Sequence, residues 1–194
     1  MDKSKLVFII ISTLILAISG CEIFSLRDSE DPQKPAEWNT YTLTPVKTLE
    51  NLAFSYNYRE NLYKYASLFA DNFSFNFDSR DISDFHLPYS WNKSSEVDML
   101  MNTYQRIDPE NAMSVVFEKI NDQNDNIQVN RAWLYRKYTL TVYTSTSGLP
   151  KTYSGKMQLY LEKDNTGFWR IKDWNDFRIL NNLSWGRMKN EYSL

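Results

Sequence analysis

Several residue types are scarce in this chain, and each shortage argues against a particular kind of structure or site. Among 194 residues there are 1 cysteine, 1 histidine, 5 glycines and 6 prolines. A lone cysteine cannot form an intrachain disulfide. A lone histidine argues against histidine-based catalytic triads and multi-histidine metal sites. So few glycines and prolines argue against a fibrous or loop-dominated chain. We therefore expect no metal and no cofactor.

An excess of charge of one sign is missing as well. The 22 basic side chains nearly balance the 24 acidic ones, and the formal net charge is −2. Acidic and basic residues are interspersed, so we predict no nucleic-acid binding, which needs a clearly basic patch. Hydrophobic residues make up 42% and aromatic residues 15% of the chain. This composition is that of a globular domain whose rings suit a β-sheet with one partly wet face.

The N-terminal segment has the layout of a secretory leader. Lys3 and Lys5 precede a predominantly apolar run at 6–18. That run is shorter than the roughly 20 residues needed to cross a ~30 Å hydrocarbon core. The small residues Ser19 and Gly20 follow, which a peptidase cleft accepts.

The sequence Ile-Ser-Gly-Cys at 18–21 resembles the bacterial lipobox, although leucine is commoner than Ile18 at its place. The resemblance implies that residues 1–20 are a signal peptide and that Cys21 is acylated, which makes membrane lipid a partner. Two or three acyl chains give a lasting anchor, whereas one does not. In a Gram-negative cell, Glu22 favours the outer membrane over the inner one. The alternative is an uncleaved signal anchor with an incidental cysteine.

The mature chain divides into a tether at 21–43 and one domain at 44–194. Thr44 and Pro45 predict the start of a helix, because the hydroxyl can cap and proline fits the first turn. The rest of the predicted order is a helical run at 62–69, a strand at 73–77, a loop at 80–91, a helix from Ser95 to Tyr104, strands at 112–120, 128–144, 152–162 and 168–179 with turns at 147–150 and 164–167, and a short helix or cap at 185–192.

Helices, one strand, another helix and a run of long antiparallel strands predict an α+β domain. Ser-Leu-Phe-Ala-Asp-Asn-Phe at 67–73 and Gly-Phe-Trp-Arg-Ile at 167–171 resemble the NTF2-like superfamily, which includes SnoaL-like and ketosteroid-isomerase-like proteins. The resemblance covers about 45–176. It implies a cone in which a curved antiparallel sheet wraps around the N-terminal helices, often with a pocket at the open end.

The catalytic positions of the isomerases are not kept. Their tyrosine and aspartate align with Ala53 and Phe77, which cannot hold an oxyanion or move a proton. Asp78 lies one residue further along, and such a step on a strand turns the side chain to the other face. Isomerase activity of that type is therefore disfavoured.

Other candidate site residues come from the strand pattern. Arg136 and Tyr138 are in phase with the apolar face of their strand, so Arg136 needs a carboxylate or an anionic ligand. Asp173 is in phase with Trp169 and is expected inside. An Arg136–Asp173 ion pair, or a bulge that turns Arg136 outwards, is the structural alternative. The full set proposed for the pocket is Arg136, Asp173, Tyr58, Trp91, Tyr138 and Trp169; the aromatic members are equally explained as core packing.

Three functions are consistent with these sequence features. The first is a non-catalytic module that binds a small hydrophobic ligand or an envelope protein. The second is a SnoaL-like enzyme acting on a small hydrophobic substrate, with Asp173, His86 or Asp78 as base; His86 is otherwise a surface histidine. The third is a homodimer paired through its exposed sheet face. A filled cone would exclude both pocket functions, whereas an open pocket with a carboxylate of raised pKa would favour the enzyme.

Overall fold

A computed structural model of the protein describes residues 37–59, 62–107, 113–143 and 149–193. The predicted leader, Cys21 and most of the tether lie outside the described residues, as do positions 147 and 148 of the first predicted turn. The elements in chain order are α1 (Pro45–Asn57), α2 (Leu62–Ala66), β1 (Phe69–Asn76), α3 (Ser79–Phe85), β2 (Ser90–Asn92), α4 (Lys93–Arg106), β3 (Ser114–Lys119), β4 (Asn126–Ile127), β5 (Arg131–Val142), β6 (Lys151–Lys163), β7 (Trp169–Arg178) and α5 (Trp185–Tyr192).

The seven strands form one curved, unclosed sheet in the order β2-β1-β7-β6-β5-β3, with β4 paired to β5. All pairings are antiparallel except that of β1 with β7, which is parallel. The predicted α+β class and curved sheet are therefore confirmed, with one parallel pair that the sequence did not indicate. β1 lies between β2 and the last strand, β7, and runs in the same direction as β7.

Local signals explain where the main helices begin. The Thr44 hydroxyl accepts a hydrogen bond from the backbone of Lys47 (3.3 Å), and Pro45 occupies the first turn of α1 as predicted. In α4 the cap is Asn92, whose side chain accepts from the backbone N–H of Ser95 (3.1 Å). The cap of this helix is therefore three residues earlier than the predicted cap Ser95, and the helix begins at Lys93.

The prediction of a loop across 80–91 is wrong. Asp78 caps the short helix α3, because its carboxylate accepts from the backbone N–H of Arg80 (2.9 Å). The strand β2 then pairs with β1, with Trp91 opposite Phe75. Short elements such as these carry too few residues for a clear period, and they are held by tertiary contacts.

Residues 38–43, assigned to the tether from sequence, pack on the domain. The Trp38 ring lies 6.0 Å from that of Phe54 in α1. The carbonyl of Thr42 accepts from the backbone N–H of Trp169 (3.0 Å) at the start of β7. The described chain is thus fastened to the sheet before α1 begins.

One hydrophobic core lies between the concave face of the sheet and the helices. It includes Leu52 of α1, Leu100 of α4, Leu134 and Leu159 of the central strands, and Trp185 of α5, all 0% exposed. Across the four described ranges, no helix is both long and apolar enough to cross a membrane.

Candidate functional site

The interior of the sheet is occupied by α5. Trp185, Met188 and Lys189 are 0% exposed, and Tyr192 is also buried. The Trp185 ring lies 4.6 Å from that of Trp174, 4.8 Å from that of Tyr138 and 5.0 Å from that of Tyr56. The place in which the sequence resemblance implied a ligand pocket is therefore filled by the chain's own last helix.

The first turn of α5 is bonded by groups from the sheet and its own cap. The backbone N–H of Trp185 donates to the Tyr138 hydroxyl (2.7 Å), and that of Gly186 donates to the Asp176 carboxylate (2.8 Å). The N–H groups of the next two residues donate to Ser184, at its hydroxyl (2.9 Å) and its carbonyl (3.1 Å). The N–H groups of Trp185, Gly186 and Arg187, which the start of a helix leaves without an intrahelical partner, are thus all satisfied, and the bond from Met188 to the Ser184 carbonyl is the first bond of the helix itself.

Two glycines permit this close docking. A Cβ on Gly186 would lie 3.0 Å from Asp81 Oδ2 and 3.4 Å from Asp176 Oδ2. Gly155 lies opposite Tyr138 across β5 and β6, and a Cβ there would lie 2.4 Å from the Tyr138 hydroxyl. Because Gly155 has no side chain, the Tyr138 ring can lie across β6, and its hydroxyl donates to the Asp176 carboxylate on β7 (2.7 Å).

Burial sets the electrostatics around Asp176. Removal from water raises the pKa of Asp176 to about 7, against the hydrogen bonds from Tyr138 and Gly186, which favour the carboxylate. Burial likewise raises the pKa of Tyr138 well above its usual value. The carboxylate sits at the positive end of the α5 dipole, where negative charge is stabilised.

The middle of α5 carries a buried ion pair. Lys189 Nζ donates to Glu96 Oε1, and both side chains are 0% exposed. Glu96 also accepts from the Tyr65 hydroxyl (2.5 Å) at Oε1 and from Trp91 Nε1 (2.9 Å) at Oε2. Burial lowers the pKa of Lys189, while the neighbouring Glu96 pulls it upwards.

Aromatic rings surround the ammonium group. Lys189 Nζ lies 4.2 Å from the ring centroid of Phe75, 4.5 Å from that of Trp174 and 5.5 Å from that of Trp91. Phe75 on β1 lies directly opposite Trp91 on β2 and Trp174 on β7, so the three rings form one row on the concave face. We call Phe75, Trp91, Trp174 and Glu96 the ammonium box. All four lie outside α5.

Asp173 does not point inwards, and the predicted Arg136–Asp173 pair does not form. Tyr160 pairs with Asp173 but Leu161 pairs with Ile171, so Lys172 is an extra residue in β7. This β-bulge shifts the phase of the strand, which places Trp174 and Asp176 inside and Asp173 on the convex face. Burial against that face raises the pKa of Asp173.

Arg136 is buried as predicted, but its partner is Asp125. Two guanidinium nitrogens donate to the two carboxylate oxygens, at 2.6 and 2.8 Å. Asp125 also accepts from the backbone N–H of Tyr135 (3.1 Å), so the pair fastens the turn before β4 to β5. Burial works to raise the pKa of Asp125, but the hydrogen bonds from Arg136 and Tyr135 hold it below its usual range.

The other predicted bases lie apart from the interior. Burial alone would raise the pKa of Asp78, yet hydrogen bonds from Arg80 and from the backbone of Arg178 keep it below its usual range. His86 is exposed and ends α3 in a left-handed conformation (φ 54°). It lines a surface cavity of about 330 Å³ together with Trp91 and Asp98. The three proposed bases do not converge on one place.

The remaining pocket residues divide between two regions. Trp91 and Tyr138 contact the residues around α5, as described above. Tyr58 is 42% exposed and packs on Phe54 (ring centroids 4.6 Å apart) at the end of α1. Trp169 is buried under the N-terminal segment, where its Nε1 donates to the Leu43 carbonyl (3.2 Å). In the four described ranges, no group of three His, Cys, Asp or Glu side chains is arranged to hold a metal ion.

Sequence reasoning missed Lys189, Glu96 and Asp176. A signal existed for the first: the buried residues of α5 recur at i, i+3, i+4 and i+7, and a lysine falls within that stripe. Glu96 is likewise in phase with the buried Met99, Leu100 and Thr103 of α4. For Asp176 there was no signal, because the bulge that turns it inwards leaves no mark in the local pattern.

Comparison with known proteins defines the fold. No family model matches the chain, and no curated protein does. Among solved structures, the Kfla4162 protein from Kribbella flavida aligns with a TM-score of 0.55 at 11% identity, over 75% of this chain and 93% of that one. An NTF2-like superfamily protein from Salmonella enterica aligns with a TM-score of 0.52 at 12% identity, over 70% and 89%.

A third structure, described as a putative aromatic ring hydroxylase from Novosphingobium aromaticivorans, aligns with a TM-score of 0.53 at 9% identity, over 70% of this chain and 86% of that one. At such identities the likeness concerns the fold alone. The domain therefore has the NTF2-like fold, as the sequence resemblance implied.

Proposed function

We propose that the protein is a membrane-anchored bacterial lipoprotein of the cell envelope whose NTF2-like domain is a non-catalytic interaction module. The observation that carries the second part is the filled interior: α5 occupies the cone with Trp185 and Lys189, both 0% exposed. The isomerase positions Ala53 and Phe77 also lack functional groups. An interior occupied by the chain itself leaves the outer surface for partners.

The convex face of the sheet is suited to that role. Side-chain amides form a ladder across it, in which Asn76 donates to Asn175 (2.9 Å), Asn175 to Gln158 (3.1 Å) and Gln158 to the Tyr135 hydroxyl (3.0 Å). The ladder holds polar groups in place before any partner binds, which reduces the entropy lost on association. Phe177 beside it is 46% exposed.

We propose an envelope protein as the partner of this face. Photo-crosslinking in cells, with the reactive residue placed at Tyr135 or Phe177, tests it; Val129, which is 80% exposed in a loop, is the matched control. A crosslink to a different protein from the two face positions, and not from Val129, supports the proposal. A crosslink to a second copy would replace it with the homodimer, and no crosslink would exclude this face.

The anchor is tested separately. Metabolic labelling with an alkyne fatty acid is expected to label the wild-type chain and the Ser19→Ala control, which keeps a small residue at the cleavage site. Cys21→Ser should abolish the label, because Cys21 is the only cysteine. A mature chain that retains Met1, or label that survives the substitution, would contradict lipidation. The sorting to the outer membrane follows from Glu22 only in a Gram-negative cell, and fractionation of labelled cells tests it.

One observation favours the alternative, a SnoaL-like enzyme for a small hydrophobic substrate. Asp176 is a buried carboxyl of raised pKa beside the Tyr138 hydroxyl, an arrangement seen in general acid–base sites. Both Asp176 oxygens accept hydrogen bonds, one from Tyr138 and one from α5. Catalysis by Asp176 therefore requires that α5 leave the interior. If this alternative holds, a chain truncated before Trp185 should gain activity on a small hydrophobic substrate, whereas without it the truncation should only unfold the domain.

A further inference from the structure

The ammonium group of Lys189 is surrounded by a carboxylate and aromatic rings, as a bound cationic ligand would be. Its ammonium meets one carboxylate, Glu96, and lies within 4.5 Å of the ring centroids of Phe75 and Trp174. Cations are attracted to the faces of aromatic rings, and the attraction grows when water is excluded. The Lys189 side chain is 0% exposed, so that condition is met.

The box is organised by groups other than its occupant. The Glu96 carboxylate is held by the Tyr65 hydroxyl (2.5 Å) and by Trp91 Nε1 (2.9 Å), neither of which belongs to α5. Tyr65 is positioned in turn by the Tyr56 hydroxyl (3.3 Å). The ring row is set by the register of three paired strands, in which Phe75 lies opposite both Trp91 and Trp174.

We propose that the ammonium box is a binding site for a primary alkylammonium group, and that in this chain the site is occupied in cis by Lys189. Recognition combines one buried carboxylate with three ring faces, which suits a monovalent cation on an unbranched apolar stem. An anionic or neutral ligand would leave Glu96 without a counter-ion in a buried setting. The proposal concerns the interior and is independent of any partner on the convex face.

The test removes the occupant and supplies it from solution. Lys189→Ala in the full chain lacks three methylene groups and the ammonium, which together correspond to n-propylammonium. Thermal unfolding is followed at neutral pH with increasing n-propylammonium chloride. We expect a saturable rise in stability; at ten times the dissociation constant the folding equilibrium constant increases about 11-fold.

Three controls make the result specific. 1-Propanol has the same number of heavy atoms but no charge, and sodium chloride matches the ionic strength; neither should stabilise Lys189→Ala in this way. Lys189→Met keeps the apolar stem, fills the space and should not respond to the amine. Wild-type protein should not respond either, because its site is occupied.

If Lys189→Ala does not fold in buffer, the same series is run as refolding yields, and the amine should restore folding. A Lys189→Ala chain that n-propylammonium neither stabilises nor refolds would overturn the proposal. So would an equal response to 1-propanol, or an equal response of Lys189→Met, because the amine would then act elsewhere.

Discussion

Two of the buried ion pairs in the described part of the domain differ in almost every respect. Arg136 and Asp125 lie near the edge of the sheet, with side chains 5% and 15% exposed, and join a turn to a strand by two parallel hydrogen bonds. Lys189 and Glu96 lie in the interior at 0% exposure, on two helices distant in sequence, and are enclosed by aromatic rings. The first pair is peripheral and bidentate; the second is central and surrounded by rings.

The difference shows what each pair does for the fold. The edge pair secures one local turn, and water can reach Asp125 if Arg136 is lost. The central pair connects α5 to α4, and its loss leaves a charge with no route to solvent. Burial of a charge is costly unless it is paired, so the central pair should dominate stability when it is broken.

The largest effect is expected from Glu96→Gln. The substitution leaves Lys189 without its counter-ion and should cost about 3–5 kcal/mol of unfolding free energy. Chemical denaturation of the full chain measures it. The double variant Glu96→Gln with Lys189→Met should recover much of the loss, because no buried charge remains. A single variant as stable as the wild type would show that the central pair does not hold α5.

The two regions should also respond to pH in opposite directions. The pKa of Asp176 beside α5 is raised to about 7. The folded state therefore binds a proton that the unfolded state has lost above about pH 4, and stability should fall as pH rises from about 4 to 7, by at most about 1.4 kcal/mol per unit. The Asp176→Asn variant should remove the share of this slope that Asp176 contributes, as measured by denaturation series across that range; Asp173, whose pKa is also raised, keeps its own share.

At the edge, the pKa of Asp125 is held below its usual range. Its contribution is fully present above the unfolded value of about 3.9 and is lost as pH falls through the lower folded value. Asp125→Asn should thus change the dependence of unfolding free energy on pH only at the acidic end, below about pH 4. A profile in which the two variants behave alike would contradict this distinction.

A steric change near the centre should have an intermediate effect. Gly155→Ala places a Cβ 2.4 Å from the Tyr138 hydroxyl and 2.8 Å from the Phe177 carbonyl. We expect a loss of about 1–3 kcal/mol from overpacking, together with weaker docking of α5. Gly167→Ala is the comparison, since its space is open and only the positive φ of 83° opposes the new side chain. Equal losses at the two glycines would argue against the role of Gly155.

The smallest effect is expected from Arg136→Met, which should lower the unfolding free energy by about 1–2 kcal/mol in chemical denaturation. The loss is small because Asp125 keeps its hydrogen bond from the Tyr135 backbone and some contact with water. Intrinsic tryptophan fluorescence, to which the buried Trp174 and Trp185 beside α5 contribute, should not change. A loss as large as that of Glu96→Gln would erase the contrast between the two pairs.

The features that could be predicted from the sequence are those set by residues close together in the chain. The start of α1 at Thr44, the turn at 164–167 and the alternation that buries Arg136 all follow from neighbouring residues, and the structure has each of them. The inward placement of Asp173 was wrong because a single extra residue, Lys172, reversed the phase of β7. A bulge depends on the pairing with β6, which no local pattern records.

By itself, the sequence determined the α+β class, the order of the long elements and the burial of Arg136, because hydrophobic period and caps act over a few residues. It also carries the lipobox-like segment ending at Cys21, on which the proposed anchor rests. Only the tertiary structure decided that Asp125 is the partner of Arg136, that Asp176 turns inwards, and that α5 fills the cone with Lys189 in a box of rings. Those outcomes depend on strand register and on the docking of distant helices, which are set by the whole fold rather than by any one segment.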